Sequence, residues 1–144
     1  MKCWCHCKKD KQGTTEVGKI IESLYKNHSA LRIIALLDST NKVQAYISDI
    51  EEGSGKTEAF LFKALQFKST ATGTVKELGF DRSKEICLKS DDSVIFLFEI
   101  ENCTMIFYFL FDELNSNFFN PNKFLNANEP ILIQLQTLLQ KEKK

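Results

Sequence analysis

Between Thr14 and Asn27 the apolar residues Val17, Ile20, Ile21 and Leu24 recur at i, i+3, i+4 and i+7. That spacing predicts a helix resting one face on a core. Two apolar runs follow, Leu31–Leu37 and Val43–Ile50, parted by Asp38-Ser39-Thr40-Asn41-Lys42. Polar turn formers between β-branched runs predict a hairpin. The first run is nearly continuous, as in a strand covered on both faces; the second alternates and reads as closer to an edge. Gly53-Ser54-Gly55 then breaks the chain before a long helix, about Lys56 to Leu78, closed by Gly79. One stripe of that helix runs Phe60, Ala64, Phe67, Ala71, Val75, Leu78 and is expected on the sheet. Leu61, Phe62 and Leu65 widen the apolar surface beyond what one sheet face needs.

Three further strands are predicted after Asp81: Glu85–Lys89, Val94–Ile100 and Thr104–Phe111, joined by Ser90-Asp91-Asp92-Ser93 and Glu101-Asn102 as a meander. The last two are almost wholly apolar and are expected at the centre of a sheet. Residues 112–128 are Asn-rich, with Phe118, Phe119 and Phe124 and a Pro121 break, and read as a long loop. Asn128 and Pro130 open a final helix carrying Ile131, Leu132, Leu135, Leu138 and Leu139. The order α-β-β-α-β-β-β-α predicts an α/β (α+β) three-layer sandwich, a five-stranded antiparallel sheet flanked by helices.

Residues 1–13 show no apolar periodicity and are expected to be a flexible Cys/Lys-rich tail before a single domain spanning 14–144. With 144 residues and 43% apolar content the chain can bury a core without disulfides or metal. Lys+Arg and Asp+Glu are both 19, so a nucleic-acid partner, which calls for a basic excess, is not expected. Cys87 and Cys103 read as small buried hydrophobes, which fits a reducing compartment. No apolar segment follows Lys2 as a secretory signal requires, and the longest apolar run, Met105–Phe111, is too short to span a bilayer. The expectation is a cytoplasmic protein.

Two segments suggest chemistry. Gly53-Ser54-Gly55-Lys56-Thr57 follows a strand and opens a helix, where a phosphate-binding loop belongs. The full pattern needs glycine at position 50, which is Ile50, and hairpins replace the crossovers of a parallel sheet, so a capping turn with a solvated lysine is the simpler reading. Cys3, Cys5 and Cys7, beside Trp4, His6, Lys8 and Lys9, permit three readings: an idle oxidisable tail, acylation at an anionic membrane surface, or a metal site. Histidine is limited to His6 and His28, and no nucleophile-base pair can be placed. No catalytic residue and no cofactor is expected.

The hairpin LRIIALLDSTNKVQAYISDI, the glycine-containing entry to the long helix, and Leu78-Gly79-Phe80 followed by EICLKSDDSVIFLFEI give a pattern that resembles the roadblock family of dynein-light-chain-type domains, over about residues 14–140. The chain departs from it by Ser39-Thr40-Asn41 where the family often has a turn glycine, and by the long Phe-bearing loop. The resemblance implies a homodimer, or a heterodimer with a related domain, in which the long helix and the third strand meet their counterparts. Leu61, Phe62, Leu65, Ile86 and Leu88 are the seam residues it implies here. It also implies a non-catalytic platform for small Ras-like GTPases. The alternative, of another class, is a small-molecule or nucleotide sensor using the loop Gly53–Thr57.

Overall fold

The structure, a computed structural model, describes residues 4–7, 9–10, 13–50, 53–78, 85–111 and 119–142, with side chains from Thr15 to Lys141 within those ranges. Its elements are β1 (Trp4–Cys7), β2 (Lys9–Asp10), β3 (Gly13–Thr14), α1 (Glu16–Lys26), β4 (Leu31–Leu37), β5 (Val43–Ser48), α2 (Lys56–Glu77), β6 (Glu85–Lys89), β7 (Ser93–Ile100), β8 (Cys103–Leu110), α3 (Pro121–Ala127) and α4 (Glu129–Glu142).

Local chemistry accounts for most boundaries. Thr15 caps α1, its Oγ1 accepting from Gly18 N–H at 3.0 Å, so an otherwise orphaned helix donor is satisfied. In the β4–β5 turn, Asp38 Oδ1 accepts from Thr40 N–H at 2.8 Å, Thr40 Oγ1 at 2.6 Å and Lys42 N–H at 3.0 Å, while Asn41 takes the left-handed conformation at φ 66°. The Thr40 hydroxyl and the Lys42 amide, more than anything else, hold the Asp38 carboxyl down to about pKa 2. Glu101 and Asn102, both at positive φ, close the β7–β8 hairpin.

The predicted five antiparallel strands are all present, in the order β5-β4-β8-β7-β6, with β7 and β8 inside the sheet. A sixth strand joins them. β1 pairs antiparallel with β5, Trp4 opposite Ser48 and Cys7 opposite Ala45, and β2 pairs with β3. The expectation of a tail without structure over residues 1–13 is therefore corrected at these positions. Without β1, β5 would leave a row of backbone donors and acceptors free at the sheet edge, and an extended segment can pair with such a row whatever its side-chain pattern.

A second correction concerns the long loop. Asn120 accepts from Lys123 N–H at 3.1 Å and Pro121 stands in the first turn, so α3 forms where Pro121 had been read as a break. The helix drives Phe124 into the core, where it meets Phe107, Phe109 and Phe96 at ring distances of 5.0, 5.4 and 6.1 Å. Phe119 packs on Phe109 at 4.9 Å. Phe118 lies outside the described residues.

The layers are unequal. One face of the sheet carries α1, α3 and α4 over Leu31, Ile34, Leu36, Ala45, Ile47, Val94, Phe96, Phe98, Met105, Phe107 and Phe109. The other carries α2, over Ala35, Leu37, Leu97 and Ile106.

Candidate association surface

The α2 side is where the fold leaves apolar surface in water. Thr57, Leu61 and Ala64 are the buried residues of this helix, a row at i, i+4 and i+7. Leu61, predicted at a dimer seam, is 6% exposed and belongs to the protomer's own core. That correction follows from helix phase: at about 100° per residue, Leu61 lies close to Thr57 and Ala64, whereas the expected stripe through Phe60, Phe67 and Leu78 sits toward one flank.

That flank is exposed. Phe67 is 46% and Leu78 71% accessible, and Phe60, Phe67, Ala71 and Leu78 all fall within roughly 40° of one another around the helix. Phe60 packs its ring on Tyr108 at 5.5 Å. The opposite flank, Leu65, Ser69, Thr72 and Lys76, shares a groove of about 390 Å³ with Asn41 of the β4–β5 turn. The β4–β5 hairpin and β6 lie on opposite sides of the sheet centre, so the Phe67–Leu78 flank looks toward β7 and β6.

β6 is the outer strand there. Ile86 and Leu88 sit opposite Leu97 and Ile95, and Ile86 and Ile95 pack against the α2-side core while staying half-buried. The structure thus places Ile86 and Leu88 on the strand that ends the sheet among the described residues, Ile86 on the α2 side. Leu65 it leaves half-buried on the other flank, and Phe62, 63% exposed, about 140° around the helix from Phe67. Phe67 and Leu78 were assigned to the core by periodicity; the signal that they are not is the excess of apolar positions around α2, which the sheet cannot all cover.

Cys87, between Ile86 and Leu88, packs toward the other face, and burial raises its thiol pKa despite the counteracting charge of Lys89. It stays protonated at neutral pH. Cys3 lies outside the described residues, as do the side chains of Cys5 and Cys7, so the lipid and metal readings of this cluster fall there too.

The Gly53–Thr57 loop is shaped as a turn. Gly53 and Gly55 are left-handed, at φ 87° and 74°, and Gly55 stands at the helix cap. Lys56 is exposed, but Thr57 is buried and its hydroxyl shares a 3.0 Å hydrogen bond with Ser48 Oγ. A phosphate-loop hydroxyl has to face the ligand, and this one faces the sheet.

A second concavity, about 530 Å³, has a floor of Phe109, Phe111, Phe119 and Phe124 and a rim including His28 and Lys123. His28 Nε2–H donates to Asn128 Oδ1 at 3.1 Å, and Asn128 Nδ2 donates to the Phe124 carbonyl at 2.8 Å. The pair ties the end of α1 to the α3–α4 junction, a packing role that its separation along the chain concealed. Among the described residues no group of three His, Cys, Asp or Glu is placed to hold a metal ion.

This architecture, an antiparallel sheet with one long helix on one face and the terminal helices on the other, is that of roadblock-type domains. Three solved structures show the likeness. Myxococcus xanthus MglB superposes with a TM-score of 0.68 at 9% identity, covering 88% of this chain and 97% of its own. A structure described as MglB with tetrameric arrangement gives 0.64 at 13%, covering 87% and 88%. The Roadblock/LC7 domain from Streptomyces avermitilis gives 0.63 at 9%, covering 85% and 96%. No family model and no curated protein matches the sequence. The likeness is therefore one of fold.

Proposed function

We propose that the chain is a non-catalytic adaptor that associates with a second copy of itself or with a related domain, and that the pair serves as a platform for a small Ras-like GTPase. The observation that carries the reading is the apolar flank of α2, with Phe67 and Leu78 in water, on the sheet face whose outer strand among the described residues is β6. A monomer that exposes a row of large apolar side chains next to an unpaired strand edge is incomplete by the usual measure of protein surfaces. Covering both at once, by packing helix on helix and strand on strand, removes the two liabilities together. Ile86 and Leu88 on β6 and Phe67 and Leu78 on α2 are the residues assigned to that seam, with Phe62 on the far side of the helix from it. The resemblance to roadblock domains points the same way, and one structural neighbour is described as a tetrameric arrangement.

The first test is sedimentation at about 100 µM, above the micromolar range that a standard-size interface supports. Wild-type chain should run as a dimer, and Phe67→Glu/Leu78→Glu as a folded monomer by circular dichroism. A wild-type monomer at that concentration would sink the self-association reading. The GTPase half is tested by capturing the host's small GTPases on the immobilised chain, with the double variant as control; equal recovery on both removes the pair as the platform. The nucleotide-sensor alternative stands if ATP or GTP binds below millimolar concentration and Lys56→Ala abolishes binding. The burial of the Thr57 hydroxyl speaks for the adaptor.

A cytoplasmic location, with the Cys/Lys-rich N-terminus touching a membrane surface, accompanies this reading. Cell fractionation of the wild type against a Cys3, Cys5 and Cys7 to Ser variant checks it.

A further inference from the structure

Helix α2 divides at Lys68. Before it, Thr57, Leu61 and Ala64 are buried on the sheet, and Lys68 itself donates to Thr104 Oγ1 at 2.7 Å and lies 3.5 Å from Glu99 Oε1. After it, no residue of the helix is fully buried: Ala71, Thr72 and Val75 are half-buried, and the rest are exposed. Among the described residues, the side-chain hydrogen bonds of this stretch stay within the helix: Thr70 and Thr74 hydroxyls turn back onto the carbonyls of Gln66 and Thr70, at 3.1 and 3.0 Å.

The sequence changes at the same place. Residues 56–68 are mostly Lys, Ala, Leu, Glu, Gln and Phe, whereas 69–75 read Ser-Thr-Ala-Thr-Gly-Thr-Val. All of those but Ala71 are poor helix formers: β-branched side chains lose rotamers against the preceding turn, hydroxyls compete for the backbone, and glycine orders at a high entropic cost. A helical segment of this length does not hold itself in water without tertiary support. Of its apolar positions, Ala71 and Leu78 continue the row begun by Phe67, while Val75 shares the phase of Thr57.

We propose that the stretch from Ser69 to Leu78 is completed by its partner: it keeps its helix when a second copy covers Phe67, Ala71 and Leu78, and unwinds in the free protomer. This rests on the pairing described above and adds that pairing and helix order are coupled. Association then carries an ordering cost that a better helix former would reduce.

Amide hydrogen exchange read by mass spectrometry, above and below the association midpoint found by sedimentation, tests the coupling. Peptides from 69–78 should exchange roughly ten-fold faster in the dilute sample, with 57–64 unchanged. Gly73→Ala is the companion variant, because a β-carbon there meets nothing within 4 Å and the backbone is not left-handed. It should slow exchange in the dilute sample and tighten association about five-fold, or about 1 kcal/mol at 1.4 kcal/mol per ten-fold. Equal exchange at both concentrations with an unchanged affinity in Gly73→Ala would overturn the proposal. A chain that never associates sinks the pairing reading by itself. In that case slow exchange over 69–78 overturns this inference as well, while fast exchange slowed by Gly73→Ala supports a helix that needs some other partner.

Discussion

On the α1, α3 and α4 side of the sheet, Phe96 and Phe107 have no measurable contact with water and sit among four other phenylalanine rings. On the α2 side one helix covers the sheet, and three large apolar residues, Phe62, Phe67 and Leu78, remain about half or more exposed. Both faces are apolar, the first rich in phenylalanine and the second in Ala, Leu and Ile. What separates them is how many elements cover them: three helices close the first face within the protomer, and a single helix cannot close the second. Apolar content alone does not tell a core from a seam; coverage does.

The contrast makes its strongest claim at the closed face. Phe107→Ala should cost about 3–5 kcal/mol, a large part of the stability of a domain this size, because the surrounding rings cannot collapse into the cavity. A urea unfolding midpoint that barely moves would mean the phenylalanine layer is loosely packed.

The open face should respond the other way. Phe67→Glu is expected to weaken self-association at least about ten-fold, since it places an unpaired charge in the seam, and to leave thermal stability within about 0.5 kcal/mol, as exposed positions do. Phe62→Glu, on the far side of the helix, should disturb association much less. If sedimentation ranks the two variants in the opposite order, the seam runs along the Leu65 flank and the assignment of flanks is reversed.

Smaller effects mark the edges of the closed layer. Thr15→Ala removes the α1 cap bond to Gly18 N–H and should lower stability by about 1 kcal/mol, read by chemical denaturation. At the β4–β5 turn, the Asp38 pKa is depressed to about 2 by its hydrogen bonds, so its contribution is present above the unfolded carboxylate value near 4 and is lost as pH falls through 2. Asp38→Asn should flatten the pH dependence of the thermal midpoint in that window and leave the dependence above pH 5 as it is.

Much of the fold was legible before any coordinates. Residues 31–37 and 85–89 have the predicted strand bounds, and α2 ends one residue before the predicted limit. Their signals are local: alternation within a run, Asp38 and Asn41 in a turn, glycine ahead of a helix. Asn120-Pro121 carries the signal of a cap and first-turn proline, but in an Asn-rich stretch a proline reads equally well as a break.

By itself the sequence determined three of the helices, α1, α2 and α4, and the five strands β4 to β8, and that α2 carries more apolar surface than one sheet face can hold. Only the tertiary structure decided where the excess lies. Apolar residues surround α2 on most of its circumference, so periodicity admits several inward phases; in the fold Leu61 rather than Phe67 packs with Ala35, Leu37, Leu97 and Ile106 of the sheet. Pairing of Trp4–Cys7 with β5, the His28–Asn128 contact and the exposed Phe67–Leu78 row share that origin. Each depends on residues distant in sequence meeting across the sheet, and backbone hydrogen bonds and burial at such meetings leave no periodic trace in the chain.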